Sequence, residues 1–213
     1  MKDFSLRNLF VCYSNCMETE IEAKWLKIDV SKFRKKLDTV GAILSQPERL
    51  MTRRVYDYAD KRLDKIGGWV RVRDEGDKIT MSYKQLNDRS MHGTKEVTVT
   101  VNSFDDTCVF LESIGMVSTS FQETKRESWQ LNSVEIEIDT WPWIPSFVEI
   151  EAKSEYELRH VAHQLNLDMS LALHGSVETA YQAVYDVSED EIDNWKEIRF
   201  TPVPEWLSKK VKS

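Results

Sequence analysis

Trp69-Val70-Arg71-Val72-Arg73-Asp74 sets apolar and charged residues in strict turn, so a strand built from it turns both arginines to one side and both valines to the other. The same period recurs on either side. Upstream, Glu20, Glu22 and Lys24 oppose Ile21, Ala23 and Trp25. Downstream, Thr80, Ser82 and Lys84 oppose Ile79, Met81 and Tyr83, and Glu96, Thr98 and Thr100 oppose Val97, Val99 and Val101. Later still, Arg126 shares a face with Thr124 and Ser128, while Glu135, Glu137 and Asp139 oppose Val134, Ile136 and Ile138. Glu149 and Glu151 oppose Val148, Ile150 and Ala152, and on the strand of Arg126 the oily side holds Lys125, Trp129 and Leu131 with Glu127 as the exception.

This alternation predicts eight strands, over residues 18 to 26, 51 to 58, 68 to 74, 77 to 85, 94 to 102, 117 to 131, 133 to 140 and 147 to 153. Helical spacing appears at residues 30 to 40, from Ser103 to Gly115, and over 154 to 166, where Ser154 and Glu157 form a capping-box pattern. Two further helices are expected near 176 to 186 and 188 to 196. Several links between strands are too short for a parallel crossover, which favours antiparallel pairing and an α+β class. Eight strands are about the number at which a sheet closes into a barrel with room for a small ligand.

The chain of 213 residues suits a single domain, and no repeat or Pro/Gly-rich linker divides it. A net charge of -7 argues against nonspecific nucleic-acid binding, although an acidic protein can still hold a basic pocket for a small polyanion. Three cysteines, Cys12, Cys16 and Cys108, lack the spacing of a zinc site and are an odd number for a disulfide framework, so a reducing cytoplasm is expected. The apolar run Leu9 to Tyr13 is too short to span a membrane. Met17 directly precedes the first patterned segment, which marks residues 1–16 as a tail or a start-site artefact, 17–200 as the domain and 201–213 as a C-terminal tail.

A half-buried antiparallel sheet normally sends its charges to solvent. Here the charged faces are sorted, with acids alone on the last two strands and bases alone on the third, fourth and sixth. Arginine and lysine suit phosphate oxygens, and carboxylates tolerate phosphate only with a divalent cation between them. Acidic and basic stripes together therefore point to a metal–phosphate site.

Glu20-Ile21-Glu22-Ala23-Lys24 resembles the Glu-x-Glu-x-Lys signature of CYTH proteins, a family of class IV adenylyl cyclases, thiamine triphosphatases and inorganic triphosphatases. The order of the charged groups along the rest of the chain resembles the family too: Arg71 and Arg73, then Lys84, Glu96, Lys125-Arg126, and the acidic pair of strands ending in Phe147-Val148-Glu149-Ile150-Glu151. The resemblance implies a closed eight-stranded antiparallel β-barrel, a triphosphate tunnel, with helices packed on its outside.

It also implies Mg²⁺ or Mn²⁺ held by Glu20, Glu22, Glu149 and Glu151 with Asp139 and Glu137. Lys24, Arg71, Arg73, Lys84 and Arg126 would grip the phosphates, and Glu96 would hold neighbouring basic side chains in position or take part in the metal network; Lys24, Arg126 and Glu96 are the expected catalytic groups. Lys125 and Arg126 are adjacent, so only one faces inward in a regular strand, and phase against Trp129 selects Arg126. Arg54 joins the set only if Val55 faces out. The leading expectation is a triphosphatase acting on inorganic or organic triphosphate. The alternatives are a class IV adenylyl cyclase, with Trp69, Tyr56 or Tyr58 reading the base, and a noncatalytic phosphate module or RNA 5′-triphosphatase. The segment around Trp195, Phe200 and Trp206 can pack on its own barrel or on a second copy, which leaves a homodimer open.

Overall fold

A computed structural model describes residues 17–212, so the expectations for residues 1–16, including Cys12 and Cys16, lie outside the described residues. In chain order the elements are β1 (Glu18–Thr19), β2 (Ile21–Trp25), α1 (Val30–Thr39), β3 (Ile43–Tyr58), β4 (Gly68–Asp74), β5 (Ile79–Leu86) and β6 (Thr94–Val101). Then come α2 (Phe104–Ser113), β7 (Met116–Leu131), β8 (Val134–Thr140), β9 (Phe147–Ala152) and α3 (Glu155–Gln164). The chain ends in α4 (Glu178–Val184), α5 (Glu189–Asp193), β10 (Glu197–Ile198) and α6 (Glu205–Ser208).

The strands form one sheet in the order β1-β6-β5-β4-β3-β7-β8-β9-β2, antiparallel throughout, with β10 added in parallel to β7. β1 and β2 are two halves of one stave, and they pair with opposite ends of the sheet: Glu18 opposes Glu96 on β6, and Lys24 opposes Glu149 on β9. That double pairing curls the sheet into a nearly closed barrel. The expected eight strands are thus nine antiparallel segments on eight staves, because the first changes neighbours at Glu20.

β3 begins at Ile43, eight residues before the expected start. Residues 43 to 50 carry Pro47 and no clean alternation, and their ladder with β7 slips at Leu44/Gln46 and Gln46/Arg49. Only the partner strand reveals them. The capping box expected at Ser154 is half made: its hydroxyl accepts from Glu157 N and donates to the Glu157 carboxylate, leaving the reciprocal backbone bond out. A complete box closes α5 instead, between Ser188 and Glu191.

The oily strand faces point outward and are covered from outside. Against β2, β8 and β9, α1 and α3 bring Phe33, Leu37, Leu158 and Val161 onto Ala23, Ile136 and Ile150. Under α2, Cys108 and Leu111 pack on Tyr56, Val72 and Met116. Glu127, on the oily side, is buried there with both oxygens bonded by Arg34 of α1 and a further bond from the Trp129 indole. Since the core lies outside the barrel, the charged faces line its interior.

Residues 201–212 are no free tail. Leu207 is fully buried beside Tyr181, Tyr185 and Ile198, and Asp186 N and Lys212 N donate to Lys210 O and Val184 O. Trp195 meets Tyr181, Trp143 and Trp206 edge-on within its own chain. Among the described residues no helix is long and apolar enough to cross a membrane. Leu207→Ala should lower unfolding free energy by about 2–5 kcal/mol in urea titration, the cost of a buried leucine cavity; a change under about 0.5 kcal/mol would mean that the segment contributes no core.

Candidate functional site

The barrel encloses a cavity of about 920 Å³. Two rows of facing residues build its acidic wall. One runs Lys24, Glu149, Glu137 and Ser128 across β2, β9, β8 and β7, and the next runs Glu22, Glu151, Glu135 and Gln130. The opposite wall is basic: Arg53 of β3 faces Arg73 of β4, and Arg71 and Lys84 lie further along β4 and β5.

Most of these charges are already paired. Lys24 Nζ donates to Gly175 O at 2.7 Å and lies 2.9 Å from Glu149 and 3.1 Å from Glu22. Burial works against its charge, but Glu149 and Glu22 outweigh burial and hold the ammonium above the usual lysine range. Arg126 grips Asp139 through Nε at 2.7 Å and Nη2 at 2.5 Å, and reaches Glu149 at 3.3 Å. Burial opposes this guanidinium too, and Asp139 and Glu137 raise its pKa regardless.

Lys84 bridges Glu20 at 2.8 Å and Glu96 at 3.0 Å, and Arg71 Nη2 donates to Glu96 at 3.1 Å. Burial first, and then the hydrogen bond to Glu96, raise the Glu20 pKa to about 8 despite Lys84 beside it. Glu96 is shifted down against its own burial, because the Glu20 carboxyl, Lys84 and Arg71 all face it. Arg73 pairs with Glu75 at 2.8 Å. Arg53 differs: it donates to Thr124 Oγ1 at 3.3 Å and lies 4.3 Å over the Trp141 ring. Burial and the guanidiniums of Arg71, Arg73 and Arg126 push its pKa down.

Lys24, Glu20, Glu22, Arg71, Arg73, Lys84, Glu96, Arg126, Glu137, Asp139, Glu149 and Glu151 all line the one cavity. Arg54 and Lys125 do not. Arg54 points out to Glu112 of α2 at 3.9 Å, and Lys125 lies over the Phe200 ring. Val55 is the inward neighbour, which reverses the phase that Arg54 needed. Of the three aromatics, Trp69 and Tyr56 are among the lining residues, Tyr56 fully buried with its hydroxyl donating to Glu112, and Tyr58 lies under the Arg62 guanidinium. Sequence reasoning missed Arg49, Arg53, Glu75 and Glu135 as lining residues. Arg53 was readable only from its register partner Arg73, an arginine already assigned inward.

Among the described residues no three carboxylates, histidines or cysteines converge as a ready-made metal cluster. The donor set nevertheless fits a hard divalent ion. Glu20, Glu22, Glu149 and Glu151 offer carboxylate oxygens from adjoining staves, which Mg²⁺ and Mn²⁺ prefer. Glu151 has no ion-pair partner among the described residues, and burial with Glu149 beside it raises its pKa to about 7. Glu137 and Asp139 line the same cavity bonded to Ser128 and Arg126, much as Glu20 is bonded to Lys84 and Glu22 and Glu149 to Lys24.

The CYTH domain model matches residues 18–175. No curated protein matches the chain. Solved structures do: a candidate adenylate cyclase from Vibrio parahaemolyticus superposes with a TM-score of 0.68 at 14% identity, covering 78% of this chain and 99% of that one. The PH1012 protein of Pyrococcus horikoshii gives 0.61 at 18% identity, over 72% and 93% of the two chains. A candidate adenylyl cyclase from Hippeastrum, described as having a dominant triphosphatase activity, gives 0.52 at 13% identity, over 83% and 95%. At these identities the likeness concerns the fold. The family match spans well over half of the chain and covers the staves that carry both charged walls, and the protein belongs to the CYTH domain family.

Proposed function

We propose that the protein is a divalent-metal-dependent triphosphatase, hydrolysing inorganic or organic triphosphate inside the barrel. The observation that carries this reading is the single cavity in which Arg53, Arg71, Arg73, Lys84 and Arg126 share space with the carboxylates of Glu20, Glu22, Glu149 and Glu151. Family membership supports it, as does the dominant triphosphatase activity described for the Hippeastrum protein.

Glu20, Glu22, Glu149 and Glu151 would hold Mg²⁺ or Mn²⁺, which supplies charge neutralisation at the phosphoryl oxygens when bound. Arg71, Arg73 and Arg126 would align the chain through forked hydrogen bonds. Water attacks the terminal phosphorus in line with the P–O bond that breaks, yielding orthophosphate and the shortened chain, and its proton passes to a tunnel carboxylate. Lys24 stays an ammonium, so its part is charge stabilisation rather than proton abstraction. Glu96 orients Lys84 and Arg71.

A second reading, cyclisation of ATP by attack of the ribose 3′-hydroxyl on the α-phosphate, draws on Trp69, whose ring lines the cavity where a base could stack. Incubation with tripolyphosphate, thiamine triphosphate and ATP, each with Mg²⁺ or Mn²⁺, separates the two. Orthophosphate without cyclic AMP is the expected result; cyclic AMP with pyrophosphate would reverse the order. Glu22→Lys and Arg73→Glu should each cut turnover by at least about a hundredfold. Activity near wild type in either would remove these walls from the chemistry.

The acidic groups also predict a pH dependence of stability without metal. Burial raises Glu151 and Glu178 to about 7 and Asp193 to about 6, each further raised by neighbouring carboxylates, and all three line the cavity. The unfolded chain releases the same protons near about pH 4. Between about pH 5 and about pH 8 the folded state therefore holds more protons, and its stability falls as pH rises. Glu149, held at about 2 by Lys24 and Arg126 against its burial, is ionised throughout that range and adds a constant amount. Urea midpoints in EDTA should decline across the window, and a flat or rising midpoint would contradict the assigned burial.

A further inference from the structure

Glu75 lies one residue past the end of β4 and continues the inward phase of Trp69, Arg71 and Arg73, so its carboxylate turns back into the cavity. It is only 5% exposed. Arg73 donates to one oxygen of it through both Nε at 3.1 Å and Nη2 at 2.8 Å, and the Thr80 hydroxyl donates to the same oxygen at 3.1 Å. Thr80 is the register partner of Arg73 on β5, so a single oxygen ties the two strands together around the guanidinium. Burial works against the charge of Glu75, but Arg73 outweighs burial and draws the pKa down.

The turn that follows does not need this carboxylate. Glu75 N donates to Lys78 O at 2.9 Å, Gly76 N donates to Asp74 Oδ1 at 2.8 Å, and Gln46 of β3 donates to Asp77 at 2.8 Å. Lys78 comes no nearer than 3.8 Å to the second Glu75 oxygen, and its side chain is exposed. A buried ion pair is often no more stabilising than an apolar pair of the same volume, so its presence here points to a use beyond the fold.

Arg73 needs holding. Arg53 faces it on β3 and Arg71 stands two residues back on the same face, and these guanidiniums repel one another. Repulsion would swing an unheld Arg73 out of line. Glu75 is the one carboxylate within 4 Å of it among the described residues, and it fixes the Nε edge while Nη1 makes no protein bond among those residues.

We propose that Glu75 is a positioning residue of the triphosphate site, which locks the Nε edge of Arg73 and so aims its Nη1 side at the phosphoryl oxygens. The inference rests on the proposed function for the identity of the ligand. Glu75 acts wholly through Arg73.

The test is a double-mutant cycle on the full chain, read as kcat/KM with Mg²⁺ or Mn²⁺ for whichever of tripolyphosphate, thiamine triphosphate and ATP it turns over best. Glu75→Gln keeps the size and an acceptor for Thr80 but loses the charge, and kcat/KM should fall at least about tenfold. In an Arg73→Lys background, where an ammonium has no fork to orient, the same change should cost less than about twofold. Glu75→Asp keeps the charge but withdraws the oxygen; its loss should be smaller and equally confined to the Arg73 background, and it replaces Glu75→Gln if that variant does not fold. Equal losses in both backgrounds, or none in either, would overturn the positioning role, because a carboxylate that only supports the turn acts alike in both. Turnover of no triphosphate by wild type sinks the proposed function and the role of Glu75 with it, whereas turnover with equal losses sinks that role alone.

Discussion

Everything in this molecule depends on turning charged strand faces into a closed space. A sheet that buries its polar side must put its apolar side outward, and a solvent-exposed apolar barrel would not stay dissolved. The chain answers with helices laid over that surface, so the hydrophobic core forms a coat around the barrel. Closure and coating are one requirement. The Arg34–Glu127–Trp129 contact shows it locally, since one misplaced charge on the outer face needed a partner from the covering helix.

Inside, the same closure removes water from many ionisable groups at once, and low polarity makes each uncompensated charge expensive. Pairing along the rows handles most of it. Lys24 between Glu22 and Glu149, and Arg126 between Asp139 and Glu149, are held charged by their neighbours. Two places stay out of balance and on opposite walls: an acidic one around Glu20 and Glu151, whose pKa values burial raises to about 8 and about 7, and a basic one around Arg53 and Arg71, whose pKa values burial lowers. Those imbalances mark where a cation and an anion would improve the lattice.

The barrel was legible because alternation reports which residues share a face, and Arg71, Arg73, Glu149 and Glu151 stand in unbroken runs. Which face was inward was not legible from period alone, because solvent and tunnel both accept charge; the outward core decides it. Adjacent like residues were the other blind spot. Arg126 over Lys125 could be chosen from Trp129, whereas Arg53 over Arg54 needed the register with β4. The residues of β3 before Met51 lack any local signal and become a strand only through β7. The C-terminal segment was read as helices and a tail, and its burial of Leu207 and support of Trp141 are tertiary facts that no local pattern encodes.

The first stave carries a kinetic consequence. Its two halves join β6 and β9, whose partners Glu96 and Glu149 lie far downstream of Glu18 and Lys24 in the chain. A ribosome delivers this stave first, yet neither neighbour exists until most of the domain has been made. Such distant pairings form slowly, and until they do the unpaired edges of β6 and β9 remain open to other chains. Glu20, Glu22 and Lys24 ride on that stave, so an intermediate lacking it has most of a coat and most of a wall but no assembled centre. Activity regained on refolding would then trail the recovery of secondary structure.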